Sequence, residues 1–347
     1  MDKVRRWYEK AGAESDVVIS TRVRLARNLR DLPFPNRMNA EQRAEAERRV
    51  RTALFESNSP IAEMFDFVAL DTLDQQQAAS LVERHIVSPQ FIANAKGRCV
   101  LISKDESISI MVNEEDHVRI QVLQEGLALS STAETADRID TLLDESLHFA
   151  FDGELGYLTQ CPTNLGTGMR ASVMLHLPAL AERGVLKRIV SNLSKLGLVT
   201  RGTYGEGTEI TGAMVQLSNQ ITLGLSESEA IENLQNITSQ LIGEERRARA
   251  ELLKQVAVQD RIARSVGVLQ TARLLSGEEF MKLISNVRFG ISAGMLSGVS
   301  IEDVNALSAA VQPATLSAEH GSPMTAAQRD RTRAEMVRTA LKNVYFE

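Results

Sequence analysis

The segment Ser20-Thr21-Arg22-Val23-Arg24-Leu25-Ala26-Arg27 alternates arginine with apolar residues. A period of two belongs to a β-strand, on which Arg22 and Arg24 point from one face. Three further segments set arginine beside a strand edge or a tight loop. In Cys161-Pro162-Thr163-Asn164-Leu165-Gly166-Thr167-Gly168-Met169-Arg170-Ala171-Ser172, two glycines around a threonine let backbone N–H groups turn toward an anion. Arg170 adds a planar fork for phosphate oxygens, and Val173-Met174-Leu175 reads as the strand that holds it still. Asn113-Glu114-Glu115-Asp116-His117-Val118-Arg119 follows the apolar run Ser109-Ile110-Met111-Val112 and packs three acids beside another arginine. Arg201-Gly202-Thr203-Tyr204-Gly205-Glu206-Gly207-Thr208-Glu209 offers an arginine, glycine hinges and more carboxylates. Any one of these is an ordinary turn or strand end. Together they point to anion chemistry.

With 347 residues and 43% hydrophobic content, the chain can bury a full core and is expected to form two domains. Its formal net charge of -6 argues against a general nucleic-acid binder. Only nine of the 39 Lys and Arg residues are lysine, so arginine dominates. Two cysteines and a polar Met1 to Ala13, unlike a secretory leader, imply a reducing cytoplasm. There is no apolar run long enough for a membrane span. No His/Cys cluster has zinc spacing, and no metal site made by protein ligands is expected.

At the four arginine segments the chain resembles the phosphagen (guanidino) kinase family, and most closely its bacterial protein-arginine kinase branch, the McsB type. The resemblance runs from about Val17 to about Arg247 and rests on S-T-R-V-R, N-E-E-D-H-x-R, C-P-T-N-L-G-T-G-x-R-A-S-V and R-G-x-Y-G-E. Small-molecule guanidino kinases usually carry histidine where this chain has Gly207, and a helical N-terminal domain before the first arginine strand. Here that strand begins at Ser20, which leaves no room for such a domain and favours an arginine on a protein surface as acceptor. The resemblance thus implies transfer of the ATP γ-phosphoryl, with Mg²⁺, to arginine side chains of proteins.

Such a transfer needs its charge held in line, which arginines and Mg²⁺ can do without covalent chemistry. Arg22, Arg24, Arg119, Arg170 and Arg201 are the candidates. The family motifs extend the nucleotide-binding segments to Ser20, Thr21 and Val23, to Ala171, Ser172, Val173 and Met174, and to Gly202, Thr203, Tyr204, Gly205 and Glu206. They also set His85 against the base. The acceptor is the harder problem, because a guanidinium with a pKa above about 12 is a poor nucleophile. Carboxylates must orient it and take its proton. The resemblance puts Glu115 and Glu206 in that role and Cys161, as a thiolate, against the substrate nitrogens. Taken alone, Glu115 is equally a strand-end carboxylate capping a turn, Cys161 an inert buried apolar residue, and His85 a helix C-terminal histidine favoured by the dipole.

Up to about residue 223, strand-like runs at Val17 to Ile19, Arg98 to Ser103, Ile108 to Val112, Val173 to Leu177 and Val215 to Asn219 alternate with helical stretches near 41–56, 131–150 and 179–196. This is an α/β pattern, and the family's arrangement implies an antiparallel sheet flanked by helices with the nucleotide on the sheet face. From Ser226 onward the chain reads as helical, starting at the capped Ser226-Glu227-Ser228-Glu229 and running through Arg246, Arg247 and Arg249. Breaks at Ser276-Gly277, Gly290 to Gly298 and Gln312-Pro313 divide the rest. The expected domains are a catalytic one, 17–248, and an all-helical one, 249–347, which the resemblance assigns to dimerisation and regulation.

Within the helical part, Arg329-Asp330-Arg331-Thr332-Arg333-Ala334 resembles the branch's R-D-x-x-R-A signature, an allosteric pocket for phosphoarginine. On a helix Arg329 and Arg333 share a face, so both forks can hold one phosphate while Asp330 orients a guanidinium. Without the resemblance it reads as a solvated helix face. The family further implies substrates marked for a Clp protease, with its Clp ATPase, a zinc-binding activator and a heat-shock repressor as partners. Two alternatives stand: a free-guanidino phosphagen kinase, and a silent phosphoarginine reader or protease adaptor. The presence of Glu115, Glu206 and Cys161 together speaks against the silent one.

Overall fold

The computed structural model describes residues 4–57, 59–195, 197–201 and 212–347. The strands of the first part are β1 (Val18–Arg27), β2 (Phe65–Ala69), β3 (Cys99–Ser103), β4 (Ile108–Val112), β5 (Val118–Glu125), β6 (Phe151–Asp152), β7 (Gly156–Tyr157), β8 (Met169–His176), β9 (Leu198–Arg201) and β10 (Met214–Asn219). The helices around them are α1 (Ala40–Phe55), α2 (Gln75–Glu83), α3 (Pro89–Ile92), α4 (Leu129–Leu147), α5 (Pro178–Glu182), α6 (Leu186–Lys195) and α7 (Glu227–Leu252). The helical remainder comprises α8 (Val256–Thr271), α9 (Gly277–Ser292), α10 (Ile301–Ala310), α11 (Pro313–His320) and α12 (Ala326–Leu341), with short strands β11 (Leu296–Ser297) and β12 (Tyr345–Phe346).

Among the described residues eight strands make one antiparallel sheet in the order β2-β3-β4-β5-β1-β8-β10-β9. The alternation in β1 gives this sheet two unlike faces. Val23 and Leu25 join Ile120, Val122, Val173 and Leu217 in a buried layer. Helix α4 covers that layer with Ala136, Ile139 and Leu143, and α7 packs against β8 and β10 on the same core. Each valine, leucine or isoleucine there contributes about 1.5–3 kcal/mol on burial. On the opposite face Arg24 stands across from Gln121 of β5 and Arg170 of β8. Arg22 stands across from Leu123 and Ser172, and Ser20 across from Met174. The mixed α/β architecture expected from the sequence is therefore present, with the sheet antiparallel and the C-terminal part helical.

Boundaries shift where local backbone chemistry overrides periodicity. The helix expected over 179–196 is two helices, because Gly184 turns left-handed at φ 68 and ends α5. Helix α4 stops at Leu147 because His148 takes φ 52. Strand β8 begins early enough that Arg170 lies within it rather than in the loop before it. Gly290 does not break a helix: it sits inside α9, where a Cβ would come within 2.7 Å of Leu296 and 2.8 Å of Ile262. Its smallness lets α8 approach α9, and the break falls later, at Gly294 with φ 68. The start of α7 is capped as expected, with Ser226 Oγ accepting from Glu229 N and Glu229 returning the bond. The C-terminal residues pair with β11, Phe346 opposite Leu296.

One buried ion pair ties β1 to the site loop. Arg27 is 1% exposed and donates to Asp140 of α4 at 2.8–3.0 Å. Its Nη1 also reaches Thr167 O at 3.0 Å, and its guanidinium lies 3.4 Å from the centre of the Tyr157 ring. Burial raises the Asp140 carboxyl pKa, and Arg27 pulls it back only in part. Removing the carboxylate would leave the buried cation with only the more distant Glu227, at 3.9 Å, as a charge partner. We expect Asp140→Ala to lose about 3–5 kcal/mol of stability, read from urea unfolding at neutral pH. A loss below about 1 kcal/mol, the scale of an exposed ion pair, would show that the pair is not structural.

Candidate active site

The turn between β4 and β5 builds the acidic side of the site by burying its other polar residues. Asn113, left-handed at φ 64, donates through Nδ2 to the Arg43 and Gly97 carbonyls. Asp116 is fully buried, and its Oδ1 accepts from Asn28 Nδ2 at 2.6 Å and Gln160 N at 2.8 Å. Burial pushes its carboxyl pKa up against those bonds. His117 accepts from Leu29 N at Nδ1 (3.0 Å), which leaves Nε2 to donate to Pro33 O (2.9 Å). With those three turned inward, Glu114 and Glu115 are left to line the cavity. Neither Asp116 nor His117 stood out in the sequence, since the groups they bond lie as much as 89 residues away.

Arg119 forms ion pairs with Glu114 and with Glu115, the latter at 3.2 Å. Arg22 Nε lies 3.4 Å from Ser172 Oγ. Arg24 sits among them, and burial together with the charges of Arg22, Arg119 and Arg170 pushes its pKa well down. Two unit charges 6 Å apart repel by about 3 kcal/mol at an effective dielectric near 20. A cluster of this kind is therefore complementary to a polyanion. Arg24, Arg119, Arg170, Glu115 and Cys161 line one cavity of about 1020 Å³.

Cys161 is half-buried at this cavity, its Sγ 3.1 Å from Thr163 Oγ1. The loop behind it is pinned by Thr222, whose Oγ1 reaches the carbonyls of Thr163 (3.0 Å) and Leu165 (2.7 Å). The glycines serve this packing. A Cβ at Gly166, φ 106, would run into Thr222 O, and one at Gly168, φ 62, would stand 2.7 Å from Ala26 O. Thr167 N is spent on Thr222 O and Met169 N on Thr167 Oγ1, inside the loop. Two of the loop's N–H groups are therefore not free to turn to an anion, and its glycines also serve close approach of the backbone.

Strand alternation sorts the remaining expected residues. Ser20, Arg22, Arg24, Arg119, Arg170, Ser172 and Met174 share the cationic face, whereas Thr21, Val23, Ala171 and Val173 are buried on the other. Thr21 there accepts from Ala128 N and donates to Gly126 O, a structural task. Arg201 ends β9 opposite Gln216. Its side chain, and Gly202, Thr203, Tyr204, Gly205 and Glu206, lie outside the described residues. His85, left-handed at φ 61, lines a second cavity of about 130 Å³ with Ser20, Arg22 and Met174. Burial, then Arg22, lowers its pKa to about 4, so it is neutral at pH 7.

The R-D-x-x-R-A segment lies on α12, but its arginines do not form a pair of exposed forks. Arg333 is 2% exposed and donates to the carbonyls of Leu275 (2.8 Å) and Val311 (3.0 Å) and to Asp330 (2.8 Å). Arg329 Nη1 donates to Met324 O at 2.6 Å. Ala334 is buried, Arg331 exposed, and Thr332 lines a shallow cavity beside Glu335 and Met336.

The antiparallel sheet thus clusters arginines on one face, with an acid and a thiol at the same cavity. The chain belongs to the ATP:guanido phosphotransferase family, whose C-terminal catalytic domain matches residues 45–248. Residues 255–346 match the C-terminal domain of the protein-arginine kinase McsB, and the chain falls with the protein-arginine kinases. It is 45% identical over 330 residues to the protein-arginine kinase of Caldanaerobacter subterraneus subsp. tengcongensis, covering 94% of this chain and 98% of that one. The protein-arginine kinase of Symbiobacterium thermophilum is 46% identical over 345 residues, covering 97% and 96%. Among solved structures, lombricine kinase matches with a TM-score of 0.61 at 28% identity, over 70% of this chain and 69% of that one. The duplicated taurocyamine kinase of Schistosoma mansoni matches with a TM-score of 0.58 at 33% identity, over 66% of this chain and 33% of that one.

The buried His117 makes a prediction for pH. Burial lowers its pKa to about 4, against about 6.5 in an unfolded chain. The unfolded state therefore binds a proton that the folded state refuses, and stability is lost as pH falls from 6.5 toward 4. The full contribution is about 3 kcal/mol. We expect His117→Gln to flatten the dependence of urea-unfolding free energy on pH between 7 and 4.5. An unchanged slope would assign it to other groups.

Proposed function

We propose that this chain transfers the γ-phosphoryl group of ATP to arginine side chains of proteins. The observation that carries this reading is the convergence of Arg24, Arg119 and Arg170 with Glu115 and Cys161 on one cavity. In the reaction the bond from the γ-phosphorus to the β–γ bridging oxygen breaks, a P–N bond forms to a guanidino nitrogen, and ADP leaves. The arginines meet the charge spread over the phosphoryl oxygens. Glu115, with Glu206 by family resemblance, orients the acceptor and takes the proton it must lose, while Cys161 faces the acceptor nitrogens. His85 is assigned to the base.

Mg²⁺ fits this reading as a companion of the nucleotide. Among the described residues no group of three His, Cys, Asp or Glu side chains could hold a metal. Magnesium commonly keeps several waters and binds through substrate phosphates with one or two carboxylates, and Glu114 and Glu115 are the acids in reach of that cavity. When bound, the ion would neutralise charge on the β- and γ-phosphate oxygens.

The finer reading follows the family. The chain acts in the cytoplasm, where its two cysteines stay reduced, and among the described residues no helix is long and apolar enough to cross a membrane. Domain 249–347 serves dimerisation, and the Arg329–Ala334 segment responds to phosphoarginine. The products are handed to a Clp protease and its ATPase, and a zinc-binding activator and a heat-shock repressor are partners.

The test is incubation with ATP, Mg²⁺ and an unstructured arginine-containing protein, with free arginine in parallel. Acid-labile phosphate should appear on protein arginine, and Glu115→Gln should slow it by about 10²–10⁴-fold. Transfer to free arginine alone would make the chain a phosphagen kinase. Binding of phosphorylated protein with no transfer, activator included, would make it a reader.

A further inference from the structure

The second cavity has two walls of different origin. One is the sheet face with Ser20, Ser172, Met174 and Gln216; the other is Met281 and Ile284 of α9 with Ser308 of α10. We infer that helices α9 and α10 form the outer wall of the nucleoside pocket, so that the C-terminal helical region binds the base and ribose of the nucleotide directly. This rests on the reading of the first cavity as the phosphate end.

The two cavities lie along one strand pair. Arg24 and Arg170 line the first, while Arg22, Ser172, Ser20 and Met174 line the second. From Arg24 to Ser20 is four residues of β1, about 13 Å, a distance that a nucleoside and its phosphates can span. A nucleotide whose phosphates meet Arg24 and Arg170 therefore extends its nucleoside beneath α9 and α10.

The chemistry of the second cavity suits a purine. Thioethers of Met174, Met214 and Met281 converge there with Ile284, and polarisable sulfur packs well against aromatic rings. Polar and charged side chains frame that apolar patch, Gln216, Asn305 and Ser308 among them and Arg22, Glu83 and Arg84 at its edge. Apolar surface set beside fixed polar groups is the usual form of a small-ligand site.

The wall is also held in place. His176 Nε2 meets Ser285 Oγ of α9 at 2.8 Å, and Ser285 Oγ donates to Gly212 O at 2.8 Å. Arg288 of α9, 2% exposed, donates to Asn305 of α10 at 2.5 Å and to Ser15 O at 2.9 Å. Next along the chain, the start of α11 is capped by Glu83, which accepts from Ala314 N and Thr315 N at 2.8 and 2.7 Å. Glu83 is two residues before His85. The helices thus contact the cavity both directly and through the turn that presents His85.

The experiment is calorimetric titration of the full chain with ADP and, separately, with inorganic tripolyphosphate, which has no base. Ser308→Trp fills the cavity from α10, and Met281→Ala opens it from α9. We expect Ser308→Trp to weaken ADP by about tenfold or more and to leave tripolyphosphate within about twofold of wild type. Met281→Ala should weaken ADP by about threefold or more, by loss of packing alone. Unchanged ADP affinity in both variants, with ligand-free melting as in wild type, would overturn the inference. Should Ser308→Trp fail to fold, Met281→Ala decides alone by the same criterion. Wild-type chain that binds tripolyphosphate as tightly as ADP also overturns it while leaving the phosphate site standing. Wild-type chain that binds neither overturns the ATP reading itself.

Discussion

Crowded like charges on one sheet face are the condition that the rest of this structure must satisfy. Arg22, Arg24, Arg119 and Arg170 come from three neighbouring strands, and each pair at close range repels by about 3 kcal/mol. The sheet meets this in two ways. Its underside is packed aliphatic, from Val23 through Ile120 and Val173 to Leu217, and each of those residues contributes on the order of the repulsion in one pair. On the charged side, Glu114 and Glu115 sit against Arg119, so the acids of the cavity relieve the arginines. Core and site are two faces of the same strands, and the site's crowding is sustained by the core beneath it.

The part of this that shows in the sequence is the part encoded by short-range periodicity. Arg22 and Arg24 share a face because they are two apart, and Glu115 follows a strand because Ile108–Val112 is one. The capped start at Ser226 is visible for the same local reason. Residues that act over long range are not visible in this way. Nothing near Arg27 announces Asp140, 113 residues away, and nothing near Asp116 and His117 announces that Asn28 and Leu29 will bury them. The face of each strand residue is legible, yet motifs blur it: Val23 and Ala171 belong to the signature segments while lying in the core. Glycines mislead for a related reason. Gly166, Gly168 and Gly290 are set by what approaches them, which local sequence does not state.

Arginine has two distinct uses here, and composition alone merges them. Arg249 donates to the Asp16 and His176 carbonyls while paired with Glu245, which itself accepts from Ala179 N and Leu180 N. Arg288 and Arg333 likewise spend donors on backbone carbonyls from distant segments. A planar fork with several fixed donors can staple more than one segment at once, which lysine cannot reproduce. These arginines join the helical region to itself and to the sheet, and the sheet-face arginines are available for chemistry because others carry that load. In the R-D-x-x-R-A segment Arg333 has the stapling use, linking Leu275 and Val311 from within α12.

The two-faced character of β1 also governs which changes in length the chain can tolerate. Because successive residues face opposite ways, one inserted or deleted residue between Ser20 and Arg24 would send every side chain beyond it to the wrong side. Arg24 would then be driven under α4 while Val23 turned to the cationic face, and pairing with both β5 and β8 would slip at once. Substitution along this strand costs a contact, whereas a single-residue shift in length removes core and site in one step. A change in length is better borne at the turn from Asp152 to Leu155 between β6 and β7, which is exposed and lies outside the main sheet.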